Sequence, residues 1–133
     1  MMAGGLSAPE AMARLVAEAH HIEVRQLTMV DKQGRTAWHS GSGVLSTNKA
    51  VEGRDCVAAG NLLDNLEVPA AMVRAFEDGA DEHIGERLMR ALEAGDAAGG
   101  EQGPVHSGGI LAVTSRVSNT GRANRCSAYS AKK

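Results

Sequence analysis

The sequence predicts an α+β fold in which short antiparallel strands are flanked by helices. Three stretches, at residues 8–20, 67–78 and 81–95, have the spacing of amphipathic helices. Residues 24–39 contain two apolar runs around a glycine turn, which is typical of a β-hairpin. The order helix, hairpin, strand, two helices, strand does not repeat a βαβ unit, so we do not expect a wound parallel sheet.

Local signals support each predicted helix. Ser7 and Glu10 form a capping box before the first helix, and Pro9 falls in its first turn, where a missing N–H costs little. Pro69 takes the same place in the second helix. Acidic residues gather at the start of the third helix, where they suit the helix dipole, and Gly95 is the expected C-cap.

The strands are predicted from apolar runs and the turns between them. The hairpin has its turn at residues 31–34, with glycine at the left-handed position. Residues 41–55 resemble a loop that has room for a short strand. Residues 56–63 are predicted as a buried strand with a glycine near its end, and residues 108–114 as a short apolar strand.

Composition divides the chain into one domain, residues 1–113, and a basic tail, residues 114–133. The first part has nine basic and 16 acidic residues, whereas the tail has five basic residues and no acid. The tail has one Val, one Tyr and no periodicity, so we expect it to be disordered. Because aromatics make up 2% of the chain, the core has to be built from small aliphatic side chains.

Several function classes find no support in the sequence. No phosphate-binding loop occurs, and the histidines lack metal-ligand spacing, so we expect neither a cofactor nor a metal. The net charge of −2 and the lack of basic clusters argue against nucleic acid and membrane partners. Cys56 and Cys126 are not in a CxxC pair, no long apolar run occurs, and no signal peptide is recognisable, so we expect a cytoplasmic protein.

Two places hold candidate functional residues. Asn61 follows Gly60 near the end of a predicted strand and can donate an N–H to a developing oxyanion; the alternative is a β-bulge in which Asn61 satisfies loop backbone. The glycine-rich residues 99–103 precede His106 and Ser107, which indicates either a tight helix-to-strand turn or a loop around a ligand. His106 and Ser107 are adjacent and would point to opposite faces of a strand, so they do not pair with each other.

Four stretches together resemble an uncharacterised family, domain of unknown function 1028, grouped with the N-terminal-nucleophile (Ntn) hydrolases. They are "GLSAPEAMARLV", "VRQLTMVDKQGRTAWHSGSG", "VAAGNLLDNLEVPAAMVRAFE" and "ERLMRALEAGDAAGGEQGPVHSGGILAV". The likeness covers about residues 3–113. It implies a partial αββα sandwich and an amide-bond hydrolase acting on a small amide or peptide.

The resemblance also implies roles for the candidate residues. Asn61, with the backbone around Gly60, would stabilise the oxyanion, and His106 and Ser107 would line the cleft beside it. Gly99 and Gly100 belong to the glycine-rich turn that carries the chain from an outer helix into a sheet, and a ligand would bind there. We therefore predict catalytic residues Asn61, His106 and Ser107.

The sequence departs from this family at both ends, so we expect a truncated and inactive hydrolase. Family members have earlier strands and a threonine near the start that is the presumed nucleophile. Ntn chemistry needs a free α-amine on the nucleophilic residue, and Met1 and Met2 have no suitable side chain. Missing strands expose sheet edges, so we also expect a homo-oligomer. The alternatives are a non-catalytic oligomerising or interaction module and a small-ligand-binding domain that uses the glycine loop.

Overall fold

The computed structural model describes residues 5–104, 107–112 and 127–131. These residues form three α-helices and six β-strands. The helices are α1 (Ala8–Glu18), α2 (Val68–Asp78) and α3 (Ile84–Ala97). The strands are β1 (Gln26–Val30), β2 (Thr36–Ser40), β3 (Lys49–Gly53), β4 (Cys56–Gly60), β5 (Gly108–Ala112) and β6 (Ser127–Ala131).

The predicted capping box at the start of α1 is confirmed. The Ser7 hydroxyl accepts a hydrogen bond from the Glu10 N–H at 3.3 Å, and the Glu10 carboxylate accepts one from the Ser7 N–H at 2.8 Å. The Ser7 hydroxyl also donates to the Glu10 carboxylate at 2.6 Å, and this bond together with the one from the Ser7 N–H lowers the pKa of Glu10. The helix ends at Glu18, before the predicted residue 20, because Ala19 is extended.

The predicted hairpin is confirmed as the antiparallel pair β1–β2, and one carboxylate ties it to α1. Asp31 accepts hydrogen bonds from the N–H groups of Ala8, Gln33 and Arg35, and from the Arg35 guanidinium at 2.7 Å. Burial raises the pKa of Asp31, but the Ala8 N–H, the Arg35 guanidinium and the turn N–H groups outweigh burial and lower it to about 2. Asp31 therefore joins the start of the helix to the turn.

A second hairpin, β3–β4, confirms the short strand that the sequence allows within the loop of residues 41–55. Lys49–Gly53 pairs with Cys56–Gly60 through a turn in which Asp55 has a φ of +61°. The prediction of a buried strand over residues 56–63 is wrong in length and burial. Strand β4 is half-buried, and it ends at Gly60 because Leu62 adopts a left-handed φ of +54°.

Helices α2 and α3 pack closely on each other. The prediction of Gly95 as a C-cap is wrong, because α3 continues to Ala97 and Gly95 is buried inside it. A Cβ at Gly95 would lie 2.9 Å from Met72 Cγ, so glycine allows the close approach. The Arg87 guanidinium lies 3.8 Å from the ring centre of the buried Phe76.

Strand β6 pairs with β5 in antiparallel register, with Gly108 opposite Ala131. It lies in the segment for which the composition predicts no regular structure. Main-chain hydrogen bonds between two strands do not require apolar side chains, which explains why the sequence does not indicate β6. The division of the chain at residue 113 stays a prediction.

The elements stack in the order α1, first hairpin, second hairpin, and α2 with α3 beside it. The fold is thus mixed α and β, with small antiparallel two-stranded sheets, as the α+β prediction requires. Buried apolar side chains come from α1, α2, α3 and the segment before α2; they are Ala8, Ala11, Met12, Leu63, Val68, Val73, Phe76 and Ala91. Within the described residues, no helix has the length and apolar character needed to cross a membrane.

Candidate functional site

An open groove of about 490 Å³ lies where three separate segments meet. The segment entering β1 contributes Val24, Arg25 and Gln26; the loop after β2 contributes Gly43, Val44 and Leu45; and Asn61 follows β4. The volume suits a small molecule or the end of a peptide.

One wall of the groove depends on a close contact between backbone segments. A 3₁₀ turn, Ile22–Val24, precedes β1, and the loop after β2 lies against it. The Gly41 N–H donates to Arg25 O at 2.9 Å, and the Gly43 N–H donates to Glu23 O at 2.7 Å. A Cβ at Gly41 would lie 2.2 Å from Glu23 O, so only glycine fits there.

Gln26 connects the two hairpins at the floor of the groove. Its Nε2 donates to Gly60 O at 3.1 Å and lies 3.4 Å from the Ser40 hydroxyl. The Gln26 Oε1 accepts no hydrogen bond from the described residues. The side chain is therefore held in place while one acceptor remains for a ligand.

Asn61 lines the groove with a half-buried carboxamide that has no hydrogen-bond partner among the described residues. The alternative role, satisfying loop backbone, is taken by Asn48, whose Nδ2 donates to Ser46 O at 3.0 Å. The backbone after Asn61 is anchored by the Leu63 N–H, which donates to Thr47 O. Both the donor and the acceptor of Asn61 thus remain free for a ligand.

Gly60 lies next to the groove but is not part of its lining. A Cβ at Gly60 would lie 2.6 Å from Leu63 Cδ2, and Leu63 is buried. Packing therefore explains the glycine, while the Gly60 carbonyl positions Gln26. The predicted ligand contact of Gly60 stays a prediction.

Gly99 and Gly100 form the left-handed turn after α3, with φ values of +126° and +62°. The Gly100 carbonyl accepts from the Asp64 N–H, and Asn65 Nδ2 donates to Ala98 O at 2.7 Å. A Cβ at Gly99 would lie 2.6 Å from Asn65 Nδ2. This turn packs against the segment that follows Asn61 and does not line the groove, so its ligand-binding role stays a prediction.

Ser107 is exposed immediately before β5 and is not part of the groove lining. His106 lies outside the described residues. The structure thus brings Asn61 into the groove lining, with Gly60 beside it, and does not bring Ser107 there. The catalytic roles of His106 and Ser107 stay predictions.

Arg25 and Gln26 are groove residues that the sequence analysis missed. Arg25 lies just before β1, and Gln26 is its first residue, 35 positions before Asn61. Only the contact of β1 with β4 brings these two residues close to Asn61. A polar residue at the start of an apolar strand was the available signal, but it does not identify the partner segment.

Among the described residues that line the groove, Arg25 is the only charged one. It is exposed and forms no ion pair with the described residues, whereas Arg14, Arg35 and Arg90 each pair with an acid. The groove therefore carries a positive charge available to an anionic ligand.

Other candidate centres in the described part of the chain have structural explanations. Burial raises the pKa of the half-buried Cys56 thiol, and Glu77 raises it further, which disfavours a reactive thiolate. A second groove, of about 430 Å³, lies between α2 and α3, where Arg90 pairs with Glu82 at 2.7 Å. No group of three His, Cys, Asp or Glu in the described residues could hold a metal ion.

Comparisons with known proteins bear on the fold and the family. The model of a family of unknown function, DUF1028, matches residues 1–127. The chain is also similar to the crystal structure of protein SPO2555 from Silicibacter pomeroyi, which is described as matching the same DUF1028 family model. The sequence identity is 29%, and the TM-score is 0.72. The match covers 81% of this chain and 46% of that chain, so this chain spans about half the length of its relative. No curated protein matches the chain.

Proposed function

This chain belongs to the DUF1028 family of unknown function, and from this premise we propose that its groove binds the amide group of a small molecule or peptide, as the substrate-binding part of an Ntn-hydrolase-like amidase. The observation that carries the proposal is the half-buried Asn61 carboxamide, which faces the groove without a described hydrogen-bond partner. No buried side-chain polar atom of the described residues lacks a partner, so the Asn61 amide atoms reach solvent in the groove, where a ligand amide can replace water.

The two carboxamides complement an amide bond. Asn61 Nδ2 donates to the carbonyl oxygen of the ligand, and the free Oε1 of Gln26 accepts from its N–H. When an amide is attacked, its carbonyl oxygen gains negative charge, so the hydrogen bond from Asn61 strengthens towards the transition state. Asn61 would therefore contribute to binding and to stabilisation of the oxyanion.

None of the described residues that line the groove has a hydroxyl or thiol that could act as the nucleophile. The Ser40 hydroxyl donates to Asn48 Oδ1 at 2.8 Å, and the pKa of Cys56 is raised. An Ntn reaction needs a hydroxyl or thiol on a residue with a free α-amine. We therefore assign substrate binding and oxyanion stabilisation to this groove, and the nucleophile has to come from a residue outside it.

The layer order supports assignment to the Ntn class. One helix, two antiparallel hairpins and two helices follow one another, which is the order of layers in an αββα sandwich. The 29% identity to a structure of the same family adds support for a shared fold over the matched residues.

Binding of a neutral diamide tests this proposal without requiring turnover. We expect N-acetylglycine N-methylamide to shift the side-chain amide NMR signals of Asn61 and Gln26. Asn61→Ala should weaken binding about two- to twelvefold, because one neutral hydrogen bond contributes about 0.5–1.5 kcal/mol. Gln33→Ala is the control, since Gln33 lies exposed in the β1–β2 turn. Unshifted Asn61 signals, or equal affinity of Asn61→Ala, would contradict the proposal.

A second candidate function, an interaction module that forms a homo-oligomer, is favoured by one feature of the first hairpin. Trp38 and Val30 are 45% and 41% exposed and lie on the same face of the β1–β2 pair. Exposed apolar side chains on one face are typical of a protein–protein contact. Sedimentation velocity should show a dimer for the native chain and a monomer for Trp38→Ser; equal sedimentation of the two would exclude this face.

A further inference from the structure

The groove lining also indicates which amides it accepts, and this inference rests on the proposed function. We propose that the ligand is an N-acyl amino acid: an amide with a free carboxylate on one side and an apolar acyl chain on the other. The three chemical parts of such a molecule correspond to three kinds of residue in the lining.

Arg25 provides the carboxylate site. Arg25 is the only charged residue of the lining within the described part of the chain, and its guanidinium has no ion pair there. The nearest acid in sequence, Glu23, lies 3.6 Å from the His21 ring. A guanidinium presents parallel N–H donors that match the two oxygens of a carboxylate.

The backbone of the groove favours a carboxylate over a phosphate. Phosphate sites use several free backbone N–H groups, at a helix N-terminus or in a glycine-rich nest. Here the Gly43 N–H donates to Glu23 O, and the Val44 N–H donates to Gly41 O at 3.1 Å. The glycine loop therefore has these N–H groups already committed, and a planar monoanion suits the single guanidinium.

Val24 and Leu45 provide the apolar part. They are 53% and 67% exposed and belong to two different segments of the groove, with the half-buried Val44 beside Leu45. Exposed apolar side chains gathered around a polar groove are typical of a ligand site. An acyl chain lying between them would remove their surface from water.

Asn61 and Gln26 then interact with the amide that joins the two ends. Arg25 lines the same groove as these carboxamides and its long side chain is exposed, so a carboxylate attached to the bound amide can reach its guanidinium. A volume of about 490 Å³ accommodates a molecule of this size. This substrate class uses the three polar side chains of the described lining, those of Arg25, Gln26 and Asn61.

Binding measurements with four probes test the inference by isothermal titration calorimetry. The probes are N-octanoylglycine, its methyl ester, decanoate and inorganic phosphate. We expect N-octanoylglycine to bind about tenfold more tightly than the ester, which lacks the charge, and than decanoate, which lacks the amide. Phosphate should not compete with N-octanoylglycine.

Matched arginine variants locate the charge effect. Arg25→Gln should weaken N-octanoylglycine binding about tenfold and leave ester binding unchanged. Arg54→Gln is the control, because Arg54 is exposed at the turn between β3 and β4. Leu45→Ser should weaken the acid and the ester alike, because both have the acyl chain.

The outcomes separate this inference from the proposed function. Equal binding of acid and ester, an equal loss in Arg54→Gln, or competition by phosphate would overturn the inference while amide binding at Asn61 stands. Decanoate binding as tightly as N-octanoylglycine, with no effect of Asn61→Ala, would overturn both.

Discussion

Replacing Gly41 by alanine tests whether the groove wall depends on close backbone contact. The new Cβ would lie 2.2 Å from Glu23 O and 2.5 Å from Ile22 O. These are backbone atoms, which cannot turn away as the end of a side chain can. The loop after β2 must therefore move away from the 3₁₀ turn.

The movement would break two hydrogen bonds, from the Gly41 N–H to Arg25 O and from the Gly43 N–H to Glu23 O. Each contributes about 0.5–1.5 kcal/mol, so we expect Gly41→Ala to lower the free energy of unfolding by about 1–3 kcal/mol. For a domain of this size, that corresponds to a fall in Tm of about 4–12 °C.

Two further glycines make a graded series. A Cβ at Gly43 would lie 3.1 Å from Glu23 O and from Val24 Cγ1, so a shift of a few tenths of an ångström is enough, and we expect a loss of about 1 kcal/mol or less. A Cβ at Gly108 meets nothing within 4 Å, so Gly108→Ala should change stability by less than about 0.5 kcal/mol.

Urea unfolding followed by circular dichroism measures the three free energies, and calorimetry of N-octanoylglycine measures the groove. Gly41→Ala should lose stability and affinity together, whereas Gly108→Ala should keep both. A Gly41→Ala variant as stable as Gly108→Ala would refute the steric reasoning, and one that is destabilised but binds normally would show that the wall does not shape the groove.

Three other predictions concern the folded core and its titrating groups. Asp31→Asn should lower the free energy of unfolding at neutral pH, because Asp31 with its lowered pKa adds stability only while it is ionised. The difference in unfolding free energy between the variant and the native chain should therefore shrink as pH falls from 3.8 through about 2. Urea unfolding at several pH values measures this difference, and a difference that does not change with pH would contradict the prediction. Phe76→Ala should lower the free energy of unfolding by about 3–5 kcal/mol, because the ring is 7% exposed; a loss below about 1 kcal/mol in urea would refute its place in the core. In a Cys126→Ser variant at pH 8, Cys56 should react with iodoacetamide more slowly in the folded protein than in the protein unfolded by urea, because the fold raises the pKa of its thiol. Equal reaction rates in the two states would contradict this prediction.

Elements with local signals could be predicted from the sequence. The capping box of Ser7 and Glu10 marked the start of α1, and the glycine at position 34, with a φ of +78°, marked the first hairpin turn. Both signals depend on hydrogen bonds between residues no more than four apart. The same is true of Pro69, which lies in the first turn of α2.

Elements whose cause is distant could not be predicted. The sequence allows a short strand within residues 41–55, but only pairing with β4 fixes its bounds at Lys49–Gly53. Gly95 lies inside α3, where Met72 of another helix approaches it. A glycine at the end of an amphipathic pattern looks the same in sequence whether it caps the helix or permits close packing. Tertiary contact decides between the two.

The candidate site shows the same division. Asn61 was singled out from its position after Gly60, and it lies in the groove. Arg25 and Gln26, the residues that give the groove its charge and its second amide, belong to a different hairpin.

The sequence by itself determined the helix starts, the first hairpin turn, the α+β class and the resemblance to the DUF1028 family. These depend on short-range spacing, which a single chain of letters contains. Only the tertiary structure decided that Asn61 has no hydrogen-bond partner among the described residues, that Gln26 binds the Gly60 carbonyl, and that Arg25 brings a positive charge to the groove. The physical reason is that hydrogen-bond partners and charges across a groove come from segments whose proximity is set by packing of the two hairpins.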